Sequence, residues 1–267
     1  MTAKSQRPAR RARIVRPGRL VVSHPHPVPG LPHPLRLTVY LPPGYEESDE
    51  RFPVAYLFDG QNLFGDEGSY AGGWHLHDHL DVRAARGKRV PIVVGIHHGG
   101  PSRFQELSPW PVEDPRVEAL GDRLLDWIVG HLGHLVGSDL RLLGGPENTL
   151  VGGSSLGGLL ALYGFARHPG FFGRALVMSP SLWVNDGAIF SYVAKARIWG
   201  DPRVYLDCGG REARGYAIEH ARWMVRLLGR KGFVAGRHFM WRPDMRGSHN
   251  ERAWRRRLPK ALRFLYG

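Results

Sequence analysis

From about residue 20 onward, short runs of strand-forming residues alternate with stretches in which apolar residues recur every three or four positions. Leu35 to Leu41 alternates apolar and polar positions and stops at Pro42-Pro43-Gly44, which predicts a strand. Val54 to Phe58 is an apolar run ending in Asp59-Gly60, and Pro91 to Ile96 is another ending in His97-His98-Gly99-Gly100. Thr149 to Val151, Ala175 to Met178, Arg203 to Leu206 and Phe233 to Trp241 complete the predicted strands. Between them, Ala217, Ala221, Met224, Val225 and Leu228 fall on one helical stripe. Leu120, Leu124, Trp127 and Ile128 do the same, as do Trp254, Leu258, Ala261, Leu262 and Leu265. Strands alternating with helices predict an α/β domain with a mostly parallel central sheet flanked by helices. Neither an internal repeat nor a dividing linker is found, so residues 21–267 are read as a single domain. Residues 1–20 have no apolar face to bury and are expected to be a disordered basic lead. Gly99 to Val117 reads as a long irregular loop, a length more often functional than accidental.

Composition narrows the classes without choosing among enzymes. Hydrophobic residues at 42% and charged residues at 23% exclude collagen, coiled coil and wholesale disorder. The single cysteine, Cys208, excludes an internal disulfide framework and a Cys-rich zinc module. No apolar run approaches the roughly 20 residues of a membrane span, so no membrane partner is expected. The net charge of +13 raises nucleic acid as a partner until the charges are placed. Residues 1–20 carry +7 and residues 251–263 carry +5, leaving the middle nearly neutral. This reads as a solvated tail and a solvated helix face, so a nucleic-acid partner is not expected. Arg10-Arg11 is followed by no apolar segment, so a cytoplasmic protein is expected; the oligomeric state is left open.

The strongest chemical signal is Gly153-Ser154-Ser155-Leu156-Gly157, a Gly-x-Ser-x-Gly set between a short apolar strand and a helical run. A serine on such a sharp turn needs small residues two before and two after it. Ser155 meets that test; Ser154, with Leu156 two places on, does not. No Gly-Lys-Ser/Thr follows, which excludes a phosphate-binding loop. A serine hydroxyl is a poor nucleophile unaided and needs a base and an orienting acid. His220 falls mid-helix and His238 inside a strand run, so both read as scaffold. His249 lies in the Gly247-Ser248-His249-Asn250 loop, where it can reach a neighbouring strand tip. For the acid, Asp207, Glu212 and Asp186 all remain candidates, with Glu212 in the loop beyond Gly209-Gly210.

With these residues in place, the chain resembles the putative-esterase family of α/β hydrolases, the esterase D-type and enterochelin esterase-type enzymes. The resemblance is carried by Val39 to Tyr45, Tyr56 to Phe64, Val94-Gly95-Ile96, Arg103 with Glu106 to Trp110, and Gly153 to Gly158. Ser179-Pro180-Ser181, Gly209 to Glu212 and His249 to Trp254 continue it, so it covers about residues 35–267. It implies an α/β-hydrolase fold and a catalytic triad of Ser155, Glu212 and His249, with glutamate where many relatives use aspartate. The expected activity is a cofactor-free serine esterase acting on a small-molecule ester through an acyl-enzyme. The oxyanion would meet the Leu156 amide and a second amide after Val54 to Phe58, Gln61 first and Asn62 next.

Other residues are weighed lower. Trp74 and Trp110 are expected as pocket walls, and Arg103 and Glu106 as substrate contacts or as a pair pinning the long loop. His75, His77, Asp78, His79 and Asp81 crowd like ligands, but Leu76, Leu80 and Ala84 make this a core-facing helix, and no metal is expected. The alternative from another class is a non-catalytic ligand-binding or interaction protein on the same fold.

Overall fold

The computed structural model describes residues 16–112, 114 and 116–267. Eight strands form one sheet: β1 (Arg19–Val22), β2 (Leu37–Leu41), β3 (Val54–Phe58), β4 (Ile92–Ile96), β5 (Thr149–Ser154), β6 (Arg174–Met178), β7 (Arg203–Gly209) and β8 (Phe239–Asp244). Their spatial order is β1-β2-β4-β3-β5-β6-β7-β8. β2 runs antiparallel to β1 and β4, and the remaining neighbours are parallel. The helices are α1 (Leu76–Ala85), α2 (Arg103–Glu106), α3 (Gly121–Trp127), α4 (Gly133–Asp139), α5 (Leu156–Arg167), α6 (Val184–Lys195), α7 (Tyr216–Arg230) and α8 (Glu251–Tyr266). Together they make a single α/β domain with the α/β-hydrolase fold.

The strand pattern explains the layers. β3, β4, β5 and β6 are buried at every position, as a parallel sheet covered on both faces requires. Alternate residues then serve opposite faces. Tyr56, Phe58, Val151 and Val177 join Leu125, Leu159, Val193 and Met224 in one core. Ala55, Leu57, Leu150 and Leu176 join Leu76 and Leu80 of α1 and Leu258 and Leu262 of α8 in the other. The parallel strands end toward one rim, where the loops after β3, β5, β7 and β8 gather. Ligands of open α/β sheets bind outside such carboxyl ends.

Two expectations need correction. The supposed lead contributes to the fold: β1 begins at Arg19, and the Gly18 amide donates to Asp81 Oδ1 at 3.0 Å. The rest of that segment, residues 1–15, lies outside the described residues. The last strand starts later than Phe233, because Gly236 takes φ +81 in a turn whose Val234 amide donates to His238 Nδ1. β8 runs on through Pro243, which an edge strand tolerates since one side needs no ladder bond.

The first correction carries a prediction. Deleting residues 1–20 removes half of β1 and the Gly18–Asp81 bond, so the melting temperature should fall by a few degrees, at about 2–4 °C per kcal/mol for this size. Activity should persist, because β1 lies at the opposite edge of the sheet from β8. Differential scanning calorimetry showing an unchanged midpoint would mean that β1 contributes nothing.

Candidate active site

The turn from β5 into α5 holds Ser155 at φ 58° and ψ −123°, a conformation that costs a non-glycine residue about 1–3 kcal/mol. The sequence makes it attainable. A Cβ on Gly153 would lie 2.8 Å from the backbone of Gly157, and one on Gly157 would lie 3.1 Å from Phe58 Cβ. Backbone bonds then clamp the turn: the Ser155 amide donates to Met178 O, and its carbonyl accepts from Ser181 and Leu159. Ser155 Oγ is 3.4 Å from Ser181 Oγ, whereas Ser154 is buried at the end of β5.

Ser155, Glu212 and His249 line one cleft of about 530 Å³. Glu212 sits in a short 3-10 turn after β7 and is 2% exposed. Its Oε2 lies 2.9 Å from His249 Nδ1, and its Oε1 accepts from Ser179 Oγ (2.7 Å) and the Gly209 amide (2.8 Å). Burial alone would raise this carboxyl, but the hydrogen bonds from His249, Ser179 and Gly209 outweigh it and hold Glu212 below the ordinary range. His249 stands in the loop before α8, its ring edge-on to Trp254 at 5.0 Å. Asn250 caps α8 by accepting from the Ala253 amide, which fixes where that loop ends.

The other acid candidates are engaged elsewhere. Asp207 is fully buried; its Oδ2 lies 3.2 Å from Arg257 Nε, and its Oδ1 accepts from the Ser179 amide. Burial raises its carboxyl despite the guanidinium beside it. Asp186 takes φ +52 in the first turn of α6 and is not among the residues lining the cleft.

Around the rim, Leu156 lines the cleft as the first residue of α5, whose opening amides have no partner within the helix. Gln61 lies in the 3-10 turn Gly60–Asn62 after β3, ahead of that turn's first bond from the Asn62 amide to Asp59 O. It does not itself line the cleft. Arg103 does, and its Nε and Nη2 donate to the two oxygens of Asp59, at 2.6 and 2.8 Å. Glu106 is fully buried and accepts from the Gly99 amide and Ser102 Oγ. Each therefore pins the long loop, to different partners and not to each other.

Neither expected tryptophan is a wall of this cleft. Trp74 is 1% exposed and packs on Trp254 in the core, its ring 6.1 Å away. Trp110 packs edge-on against Tyr163 and borders a separate cavity of about 150 Å³. The aromatic lining comes instead from Phe104, Trp183, Tyr216 and His220, with the first three exposed. His220 is thus more than scaffold; its ring lies 5.2 Å from that of Trp223 on α7. Phe104 lies inside the loop already marked as functional by its length, but exposure of these aromatics leaves no periodic signal in the sequence.

His75 caps α1 and contacts Asp66 and Asp78 at 2.8 and 3.2 Å. Among the described residues, no three His, Cys, Asp or Glu side chains are grouped to hold a metal ion, and no helix is long and apolar enough to cross a membrane.

A strained serine at a strand-to-helix turn, on this sheet order, defines an α/β hydrolase. The family described as "Putative esterase" matches residues 29–265, and the chain belongs to that family and is a carboxylic ester hydrolase. The uncharacterized protein YbbA of Bacillus subtilis (strain 168) is 25% identical over 250 residues, 87% of this chain and 92% of that protein. A solved ferulic acid esterase shares the fold with a TM-score of 0.72 at 18% identity, covering 94% of this chain and 98% of its own. The siderophore hydrolase EstA from Aspergillus nidulans does so with a TM-score of 0.69 at 19% identity, covering 99% of this chain and 98% of its own.

Proposed function

We propose that this protein is a serine esterase working through Ser155, His249 and Glu212 and a covalent acyl-enzyme. The observation that carries the reading is Ser155 at φ 58° in the same cleft as the 2.9 Å contact between His249 and Glu212. His249 Nε2 takes the Ser155 proton as Oγ attacks the ester carbonyl, and Glu212 stabilises the resulting imidazolium. The oxyanion that forms is met by the Leu156 amide at the opening of α5, on the cleft wall. Collapse expels the alcohol, protonated by His249; water, deprotonated by the same histidine, then frees the acid and restores Ser155. No cofactor is required, and the partner is a small molecule taken up in the cytoplasm.

The lining favours a flat, uncharged acyl group. Phe104, Trp183 and Tyr216 offer ring faces and edges of the kind that stack on an aryl group. Arg103 is already paired with Asp59, so its charge is balanced within the protein. One of the two solved structures is named for ferulic acid, an aromatic acid, which supports an aromatic ester here. The test is a panel of methyl esters with aryl, short alkyl and carboxylate-bearing acyl groups. At least a tenfold preference in kcat/KM for the aryl ester is expected, about 1.4 kcal/mol. A preference for the carboxylate-bearing ester would overturn the substrate assignment, and failure of a fluorophosphonate to label Ser155 would overturn the reaction.

A further inference from the structure

Behind the candidate triad lies a buried network that the chemistry above does not use. Ser179 follows β6 directly, takes φ +42 and is 2% exposed. Its Oγ receives two hydrogen bonds at 2.9 Å, one from Trp254 Nε1 and one from Arg257 Nη2. Both donors come from α8, three residues apart and so on one helix face. Neither an indole N–H nor a guanidinium can accept a hydrogen bond, and a hydroxyl has two acceptor sites and one proton. With both acceptor sites filled, the Ser179 proton must be donated outward. The acceptor in reach is Glu212 Oε1, at 2.7 Å.

The same count continues through Glu212. Oε1 takes the Ser179 hydroxyl and the Gly209 amide; Oε2 takes His249 Nδ1 at 2.9 Å and the Cys208 thiol at 3.7 Å. Arg257 Nη1 adds a positive charge 3.8 Å from Oε1, and Asp207 balances that guanidinium from its other side at 3.2 Å. Every contact on Glu212 comes from a donor, so the carboxylate is held charged and purely accepting. His249 must then carry its proton on Nδ1, which leaves Nε2 free to take the proton of Ser155.

We infer that Ser179 is a positioning residue of the reaction: its hydroxyl, made an obligate donor by Trp254 and Arg257, holds Glu212 as an acceptor and so sets the tautomer of His249. This rests on the Ser155–Glu212–His249 reading. It also gives Glu212 a reason to serve as the acid while Asp207 serves Arg257.

The test compares the full-length wild-type protein with Ser179→Ala and Ser179→Cys, using p-nitrophenyl acetate and circular dichroism as the fold check. Alanine removes the donor; cysteine keeps a weak one. In Ser179→Ala, kcat should fall about tenfold with KM little changed, as when a partner holding a working side chain is lost. The acid limb of kcat/KM should move to higher pH by about one unit, because a carboxylate stripped of a donor makes the Glu212–His249 pair bind protons more readily. Ser179→Cys should lie between alanine and wild type. A folded Ser179→Ala with wild-type kcat and an unmoved acid limb overturns the inference, as does a cysteine variant no better than alanine. Should Ser179→Ala fail to fold, Trp254→Phe is read instead: it frees one acceptor site on Ser179 and should move the limb in the same direction by less, and an unmoved limb overturns the inference. Retained activity in Ser155→Ala would show that the triad itself is wrong; an inactive Ser155→Ala beside an unaltered Ser179→Ala would show that only the positioning role is wrong.

Discussion

Replacing Ser155 with alanine should abolish ester turnover and leave the fold standing. The Ser155 hydroxyl lines the cleft, as that of Ser154 does not, and losing a nucleophile costs on the order of 10⁶ in kcat. A residue of about 10³ over the uncatalysed rate should survive from the oxyanion amides and substrate binding. Stability should barely change, because the turn is held by backbone bonds from Ser155 N to Met178 O and from Ser181 N to Ser155 O, which alanine keeps. Ser154→Ala offers the contrast: that side chain is buried at the end of β5, and its loss should leave kcat within a few-fold. The measurements are kcat on p-nitrophenyl acetate and the melting temperature of both variants. More than about 10% residual kcat in Ser155→Ala would remove the serine from the reaction.

The second large effect is expected at the acid. In Glu212→Gln the two donors on Oε1, Ser179 Oγ and the Gly209 amide, will select the amide oxygen for that place. The new NH₂ group then faces His249 Nδ1 as a donor and drives the imidazole proton to Nε2, where it blocks attack. A kcat loss of 10² to 10⁴ follows, since the wrong tautomer is stabilised and the cation is not. Asp207→Asn should act on stability instead, leaving the buried guanidinium of Arg257 with only the more distant Glu212 to balance it, at a cost of up to roughly 3–5 kcal/mol. Asp186→Asn should change neither. Steady-state kinetics and thermal melts of the three variants separate the roles; a large kcat loss in Asp207→Asn with Glu212→Gln near wild type would reverse the assignment.

What the sequence discloses here follows what each feature has to bury. β3 to β6 are covered on both faces, so their residues had to be continuously apolar and they stand out as runs. The Gly153 and Gly157 constraint is local, a matter of space within one turn, and so is legible from five residues. β1 is exposed at all four positions, and an exposed edge strand imposes no alternation that could have distinguished Arg19 and Leu20 from a basic tail. Arg103 and Glu106 stand three residues apart in the long loop, which suggested a pair, yet the partner of Arg103 is Asp59, 44 residues earlier. Trp74 could not be told from a pocket wall because a large aromatic is equally suited to either place until its neighbour, Trp254, is known. The role of Ser179 lies in contacts with residues 33, 75 and 78 positions away, and no local pattern encodes such a convergence.

The placement of β8 and α8 has a consequence for how the protein is made. Ser155 and Glu212 emerge from the ribosome early relative to His249, Trp254 and Arg257, which arrive with the sheet's far edge strand and the helix behind it. A domain generally folds as a unit, and the last strand and last helix of this one lie at its C-terminal end. On the proposed triad, a nascent chain that still lacks residues 239–267 therefore carries its serine and its acid without its base. During that interval the uncovered Leu176, Tyr205 and Met178 on the α8 face are a stretch of wet apolar surface. Docking of α8 closes that surface, and on the proposed triad the same event brings the base to the serine and the acid.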